Sequence, residues 1–369
     1  MRKSLILTFD FPPKRGGISN SLWNICNNLP KNKFVVLTGQ SSIELATNFS
    51  VYRKRLITNC KFIWPKWLPL LWTVKQLIAK EKIQILQAAQ ILPFGTIALL
   101  FKKVGRKPYI VYVYGQDLVI SRNSKRKTWL IRSILKNAEA VIANSSYTRN
   151  KAAELGAQKE KVIIVYPPPN EFDNTTVEQS ALESFLGKYQ LKDKKIILTV
   201  GNLVERKGQD MVIEALPPVL KEVPQAMYLI IGSGPHKNNL KNKIKSLNLE
   251  KYVKIFEHIN DQELPLFYQS CHVFIMPSRE LKNEHNQTID VEGFGMVFLE
   301  ANIFSKPVIG GRSGGVPEAI EDGLSGLLVN PENKQEITEA IAKLLKNQDF
   351  AQKLGEQGRE RVFQKFQWP

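Results

Sequence analysis

The chain has 369 residues, 43% apolar and 23% charged, long enough for two domains and apolar enough to build a core in each, which excludes a disordered chain. The net charge of +18 belongs to the first part: residues 1–170 hold 28 Lys/Arg against 7 Asp/Glu, and residues 171–369 hold 24 against 27. Three cysteines (Cys26, Cys60, Cys271), far apart and without metal-ligand spacing, exclude a disulfide framework or a zinc module and point to buried thiols in a reducing compartment.

The opening M-R-K-S-L-I-L-T-F-D has too short an apolar run for a signal peptide and reads as a first strand; no run long enough to cross a membrane follows anywhere. This strand leads into D-F-P-P-K-R-G-G-I-S, in which Asp10 precedes a proline bend and Gly16 and Gly17 let the backbone approach a ligand where a helix over 18–29 begins. The runs K-F-V-V-L-T, I-Q-I-L-Q, Y-I-V-Y-V-Y, A-V-I-A-N and V-I-I-V-Y read as further buried strands, with a helix at 127–137 among them, the βα alternation of a parallel doubly wound sheet. Basic clusters lie at Arg53–Arg55, at Lys102-Lys103 with Arg106-Lys107, and from Arg122 to Arg132. Trp64, Trp67 and Trp72 sit among prolines in F-I-W-P-K-W-L-P-L-L-W, and Trp129 sits inside the third cluster. Tryptophan mixed with lysine and arginine suits an anionic bilayer surface; the alternative is core tryptophans beside a solvated charged face. No finger, RNP-type or recognition-helix pattern is present, so nucleic acid is not expected as a partner.

Pro167-Pro168-Pro169-Asn170 and the polar stretch after it mark the domain boundary, giving residues 1–170 and 171–355, with 356–369 as a tail that returns to the first domain. The alternation restarts with K-I-I-L-T-V-G and continues through M-Y-L-I-I-G, Y-V-K-I-F, H-V-F-I-M-P, P-V-I-G-G and G-L-L-V, with helices over 209–222 and 333–347. Two such α/β domains suggest a cleft with a ligand at the carboxyl ends of the strands. In G-N-L-V-E-R-K-G-Q-D, Arg206 and Lys207 stand in a loop where a cation can neutralise a diphosphate, and Gly234 in G-S-G-P offers a nucleotide-side turn. The polar segment 280–290, with an exposed His285, is either a gate or a plain surface loop. It precedes E-G-F-G-M-V-F-L-E, in which Glu292 and Glu300 bracket a glycine turn that opens an apolar helix near Met296. The N–H groups of such a helix end attract phosphate, and the two carboxylates are placed for a sugar and a ribose.

These motifs, in this order, resemble the retaining glycosyltransferases of family 4, which share the two-domain GT-B fold. D-F-P-P-x-x-G-G-I, G-x-L-V-x-R-K-G, E-G-F-G-x-V-F-L-E-A and S-G-G-V-P-E at 313–318 carry the resemblance, and the D-F-P-P and D-V-E-G-F-G forms look most like the phosphatidylinositol mannosyltransferase branch. The resemblance implies transfer of a hexose, with retained anomeric configuration and without a bound metal or other cofactor, from a donor such as GDP-mannose or a UDP-hexose. By position, Gly16 and Gly17 would cradle the diphosphate and Lys207 would neutralise it. Glu292 would meet the transferred sugar, Phe294, Gly295, Met296 and Val297 would hold sugar hydroxyls and phosphate through backbone N–H groups, and Glu300 would bind the ribose. Asp10, Tyr114 and Asp117 fall on the acceptor side. Two departures stand out: Asn202 replaces a usual arginine, for which Arg206 or Arg279 could substitute, and Tyr114 replaces a usual histidine in an H-G-x-D/E element. The reading is a cytoplasmic enzyme, peripheral on the inner face of a membrane, acting on a lipid or lipid-linked glycan. Its alternatives are a transferase for a soluble glycan precursor and a silent nucleotide-sugar-binding scaffold.

Overall fold

The computed structural model describes residues 2–14, 16–43, 45–119, 124–170, 178–260 and 262–367. Its contacts divide the chain into two units, Met1–Pro167 and Pro168–Gln367.

The first unit is built on seven parallel strands: β1 (Ser4–Leu7), β2 (Phe34–Thr38), β3 (Val51–Arg53), β4 (Ile85–Ala88), β5 (Tyr109–Val113), β6 (Ala140–Ala143) and β7 (Val162–Ile164). Their order, β3-β2-β1-β4-β5-β6-β7, runs outward from β1 and then returns to start again beside it at β4. The central strands are apolar on both faces because helices cover both; β1 and β2 are buried at every position. Leu5, Leu7, Leu86 and Val111 point into one core, and Ile6, Val36 and Tyr112 into another on the opposite face. Strand β3 escapes the sequence pattern: it is short, half-buried and merges into the Arg53–Arg55 cluster, and its pairing with β2 alone defines it.

The second unit repeats the plan with six parallel strands: β8 (Lys195–Val200), β9 (Ala226–Ile231), β10 (Val253–Phe256), β11 (Val273–Met276), and, after a small hairpin, β14 (Val308–Gly311) and β15 (Leu327–Val329). Their order is β10-β9-β8-β11-β14-β15, so the direction of winding reverses between β8 and β11. The ladder pairing of those two strands covers only Ile197 and Leu198 against Val273 and Phe274; beyond it the Thr199 hydroxyl bonds to the Ile275 carbonyl. Loops leaving the carboxyl ends at such a reversal diverge and leave room for a ligand. The hairpin is β12 (Leu281–Lys282) with β13 (Thr288–Asp290), antiparallel, so the 280–290 segment is a small two-stranded element and not a plain loop; His285 is exposed at its turn.

The last helix, Gln348–Lys365, differs from the separate tail expected at 356–369. Residues 356–367 belong to the second unit: Gly358 packs on Asn302, and the Phe366 ring meets Phe294 edge-on at 5.6 Å. The reason is a small-residue face, Ala351, Gly355 and Gly358, that lets this helix lie closely on the helix Met296–Ile303. Trp368 and Pro369 lie outside the described residues, as does Arg122 of the third basic cluster. Cys26 and Cys271 are buried, and burial pushes both thiols up to about 12; Cys60 is exposed, against the expectation for it.

Candidate active site

In the second unit the loops after β8, β9, β11 and β14 come together at the reversal of the sheet. The loop after β8 carries Asn202, Arg206 and Lys207, with Glu205–Lys207 forming a short helical turn that ends at Gly208. Gly234 packs its backbone on this loop: the Leu203 carbonyl accepts from His236 N at 2.9 Å, and Leu203 N donates to the Ser233 carbonyl at 2.9 Å. The S-G-G-V-P-E run buttresses the Glu292 turn, since Gly315 N donates to the Glu292 carbonyl at 2.9 Å. Gly314 sits at φ +56, and an added Cβ there would fall on that same carbonyl oxygen, so glycine is required sterically as well as conformationally.

Glu292 is the electrostatic centre of this region. Its Oε2 accepts from Arg206 Nη1 at 2.6 Å and from Lys207 Nζ at 2.5 Å, and all three side chains are nearly buried. Arg206 Nε lies 2.9 Å from Asp290 Oδ1 on the hairpin, so two cations and two carboxylates form one compact array. Burial pushes the Glu292 carboxyl up, but Lys207 and Arg206 outweigh it and hold it at about 2. Burial lowers Lys207, opposed by Glu292 and reinforced by Arg206. Arg279 takes no part: its guanidinium grips Asp210 in two hydrogen bonds of 3.1 and 2.9 Å, while its own N–H donates to the Arg206 carbonyl. Of the two arginines expected to substitute for the cation missing at Asn202, Arg279 is therefore committed to a structural pair, and Arg206 stands beside Lys207. Asn202 itself has an exposed side chain, and its carbonyl accepts from Gln209 Nε2 at 3.1 Å.

Gly295, at φ +96, caps the helix Met296–Ile303. Phe294 is buried under Phe366, Met296 and Val297 form the half-buried first turn, and the first N–H groups of such a helix have no acceptor within it. Glu300 lies one turn further in and is 4% exposed; its two oxygens accept from Asn170 Nδ2 and from the Tyr268 hydroxyl, both at 2.7 Å. Burial raises its carboxyl, partly offset by the Tyr268 hydroxyl, the Asn170 backbone and the charge of Lys207. Asp290, Asn170 and Tyr268 are the polar neighbours of Arg206 and Glu300 that sequence reasoning missed. The order of motifs carried no signal for them, because Asn170 and Tyr268 meet Glu300 across 130 and 32 residues of chain and Asp290 meets Arg206 from the end of β13.

In the first unit the corresponding reversal lies between β1 and β4. Gln90, just after β4, donates to Asp10 Oδ2 at 3.0 Å and accepts from Phe9 N, and Lys14 pairs with Asp10 across the proline bend. Gly16, at φ +146, precedes the helix Gly17–Asn28, and both glycines are exposed. Tyr114 follows β5; its hydroxyl is buried without a hydrogen-bond partner among the described residues, and burial lifts it well above the usual phenol range. Its N–H donates to Asp117 Oδ1 at 3.0 Å, and burial raises the Asp117 carboxyl to about 6 against four backbone N–H groups. The sequence-picked residues thus form two sets, one in each unit.

Two parallel-sheet α/β units, each with loops gathered at the carboxyl ends of its strands, are the architecture of the GT-B glycosyltransferases. Anabaena HepE, solved with UDP and glucose, has this fold: it superposes at TM-score 0.80 over 99% of this chain and 96% of its own, at 21% identity. Residues 15–170 match the family profile described as Glycosyltransferase Family 4, and residues 183–361 match that of Glycosyl transferases group 1. The chain belongs to glycosyltransferase family 4 and is related to its phosphatidylinositol mannosyltransferases. A GDP-mannose-dependent α-(1-6)-phosphatidylinositol monomannoside mannosyltransferase of Mycolicibacterium smegmatis is 29% identical over 99% of this chain and 94% of its own length. Its namesake from Mycobacterium tuberculosis is 28% identical over 100% and 95%.

Proposed function

We propose that this glycosyltransferase moves mannose from GDP-mannose, with retention, to a hydroxyl of a membrane lipid or lipid-linked glycan, as a peripheral protein on the cytoplasmic face. The observation that carries it is the convergence of Arg206 and Lys207 on Glu292, immediately before the N-terminus of Met296–Ile303. The names of the mycobacterial relatives support the choice of donor and of acceptor class.

In this reading the diphosphate of the donor takes the Lys207 ammonium and the Arg206 guanidinium from Glu292, and Glu292 turns to the sugar. Phe294 to Val297 offer backbone N–H groups, and Gly234 and Asn202 border the nucleotide. The acceptor oxygen forms its bond to the anomeric carbon as the bond from that carbon to the phosphate oxygen breaks. The bonding pair leaves on the diphosphate, and the hydroxyl proton goes to a phosphate oxygen. Side-chain cations and N–H dipoles aimed at that developing charge do the work a bound metal does elsewhere; loss of one such group typically slows transfer by about 10²–10³. Glu300 exchanges the Asn170 amide for a ribose hydroxyl. Asp10, Gly16, Gly17, Tyr114 and Asp117 are the first unit's own candidates for substrate contact.

The test is transfer of labelled sugar from a panel of GDP- and UDP-sugars, with EDTA present, into a lipid extract and a soluble fraction, beside Glu292→Gln. Label entering lipid from GDP-mannose, absent in the variant and α-linked by NMR, is the expected result. Label only in the soluble fraction, or a requirement for divalent metal, overturns the corresponding part.

A further inference from the structure

Two segments of the first unit, residues 45–80 and 118–138, contain no Asp or Glu and carry 7 and 6 Lys/Arg. Within them the large apolar side chains Phe62, Trp64, Trp72 and Trp129 are 97%, 70%, 64% and 67% exposed, and Ile57 and Leu68 are also exposed. The exposure is selective. The helix Leu70–Lys80 turns Leu70, Val74 and Leu77 into the core, and Trp67 packs against that core, so Trp72 stands on the face opposite the buried one. The two segments meet: the Arg126 guanidinium lies over the Trp64 ring at 5.2 Å, and Lys75 lies over Trp72 at 5.7 Å. Both lead away from the carboxyl ends of strands, β3 and β5, and Asp10, Gly16 and Tyr114 leave the same edge of the same parallel sheet.

We propose that Phe62, Trp64, Leu68, Trp72 and Trp129 form an interfacial anchor that seats its rings at the headgroup level of an anionic bilayer, while Lys61, Lys66, Lys75 and Arg126 meet lipid phosphates. This rests on the reading that the acceptor is a membrane lipid, and sharpens it from adsorption of a basic domain to insertion of named side chains. Indole suits this position because its apolar body can enter the lipid while its N–H stays with water and phosphate. The absence of carboxylates from both segments fits an anionic surface. An anchor at the strand ends brings a lipid headgroup to the edge from which the acceptor-side residues emerge.

The two contributions separate by salt, because ion pairs with phosphate are screened and insertion of rings is not. The intact chain is sedimented with phosphatidylcholine vesicles, with and without phosphatidylglycerol, at low salt and in about 0.5 M NaCl, where the Debye length has fallen to a few ångströms. Quenching of tryptophan emission by brominated acyl chains is read in parallel. The anchor predicts binding to the anionic vesicles, a salt-resistant fraction, and quenching. The triple variant Trp64→Ala, Trp72→Ala, Trp129→Ala is expected to melt with the wild type, because these rings face solvent. It should keep low-salt binding, lose the quenching, and partition about tenfold or more weakly in high salt. Wild-type binding that disappears wholly in salt, absence of quenching, or a triple variant indistinguishable from wild type overturns the anchor. A lipid-free dimer that the triple variant dissolves would assign the ridge to a second copy instead. Transfer assayed on detergent-solubilised acceptor keeps the two readings apart: failure there with quenching intact removes the lipid-transferase reading and leaves the anchor.

Discussion

Replacing Glu292 by Gln keeps the size of the side chain and removes the one charge on which Arg206 and Lys207 converge. The fall of its carboxyl from an ordinary 4.5 to about 2 corresponds to roughly 3 kcal/mol of stabilisation of the ligand-free fold at neutral pH. The variant leaves two nearly buried cations side by side, with only Asp290 close to Arg206. For a domain of this size the loss is expected to lower the melting temperature of the second unit by about 6–12 °C. The sign with pH follows from the depressed value. The folded protein keeps Glu292 ionised where the unfolded chain has protonated it, so the contribution is complete above about 4.5 and fades as pH falls through about 2. In the proposed reading the diphosphate of GDP or UDP would supply an anion in the same place, so the nucleotide should raise the melting temperature more in the variant than in the wild type. Calorimetry from neutral pH down to about 3.5, with and without GDP, measures all three effects. A melting temperature within about 1 °C of wild type at neutral pH, or a gap that widens on acidification, would refute the electrostatic account.

Arg206→Ala is expected to weaken GDP binding by about tenfold or more in calorimetric titration, as loss of a charge-assisted contact to phosphate does. Arg279→Ala should instead destabilise by about 3–5 kcal/mol through an unpaired Asp210, with GDP affinity of the folded protein little changed; the reverse ranking would exchange their roles. Tyr114→Phe should leave denaturant stability within about 0.5 kcal/mol, because the hydroxyl has no partner to lose; a fall in transfer with stability intact would place it on a substrate. Tyr268→Phe removes a 2.7 Å hydrogen bond from buried Glu300 and should cost about 1–2 kcal/mol in chemical denaturation; no cost would mean that Asn170 alone holds the carboxylate. Gly314→Ala should lower both melting temperature and transfer, since a positive φ and the Glu292 carbonyl leave no room for a Cβ.

The local chemistry of the elements was legible in the sequence. Runs such as K-I-I-L-T-V and M-Y-L-I-I hold consecutive apolar residues instead of an alternation because both faces of a parallel strand are covered, so they declared β8 and β9 without help from the rest of the chain. The helix over Gln209–Glu222 was equally readable, and continues through Pro217 and Pro218. Glycine turns announced Gly16, Gly234 and Gly295 for the same kind of reason: a backbone conformation or a close approach excludes a side chain at that residue alone. What needed the tertiary structure were the outcomes of competition between distant groups. Arg206 and Arg279 are alike in sequence, but Asp210 captures one and Glu292 the other. Four tryptophans share similar basic surroundings, but core packing takes Trp67 and leaves Trp64, Trp72 and Trp129 outside. Residues 356–369 read as a tail returning to the first domain because the surface that receives 356–367, around Phe294 and Asn302, is assembled only when the second unit folds. A side chain's propensity and shape are its own, but its charge state and exposure depend on neighbours that the linear order does not bring together.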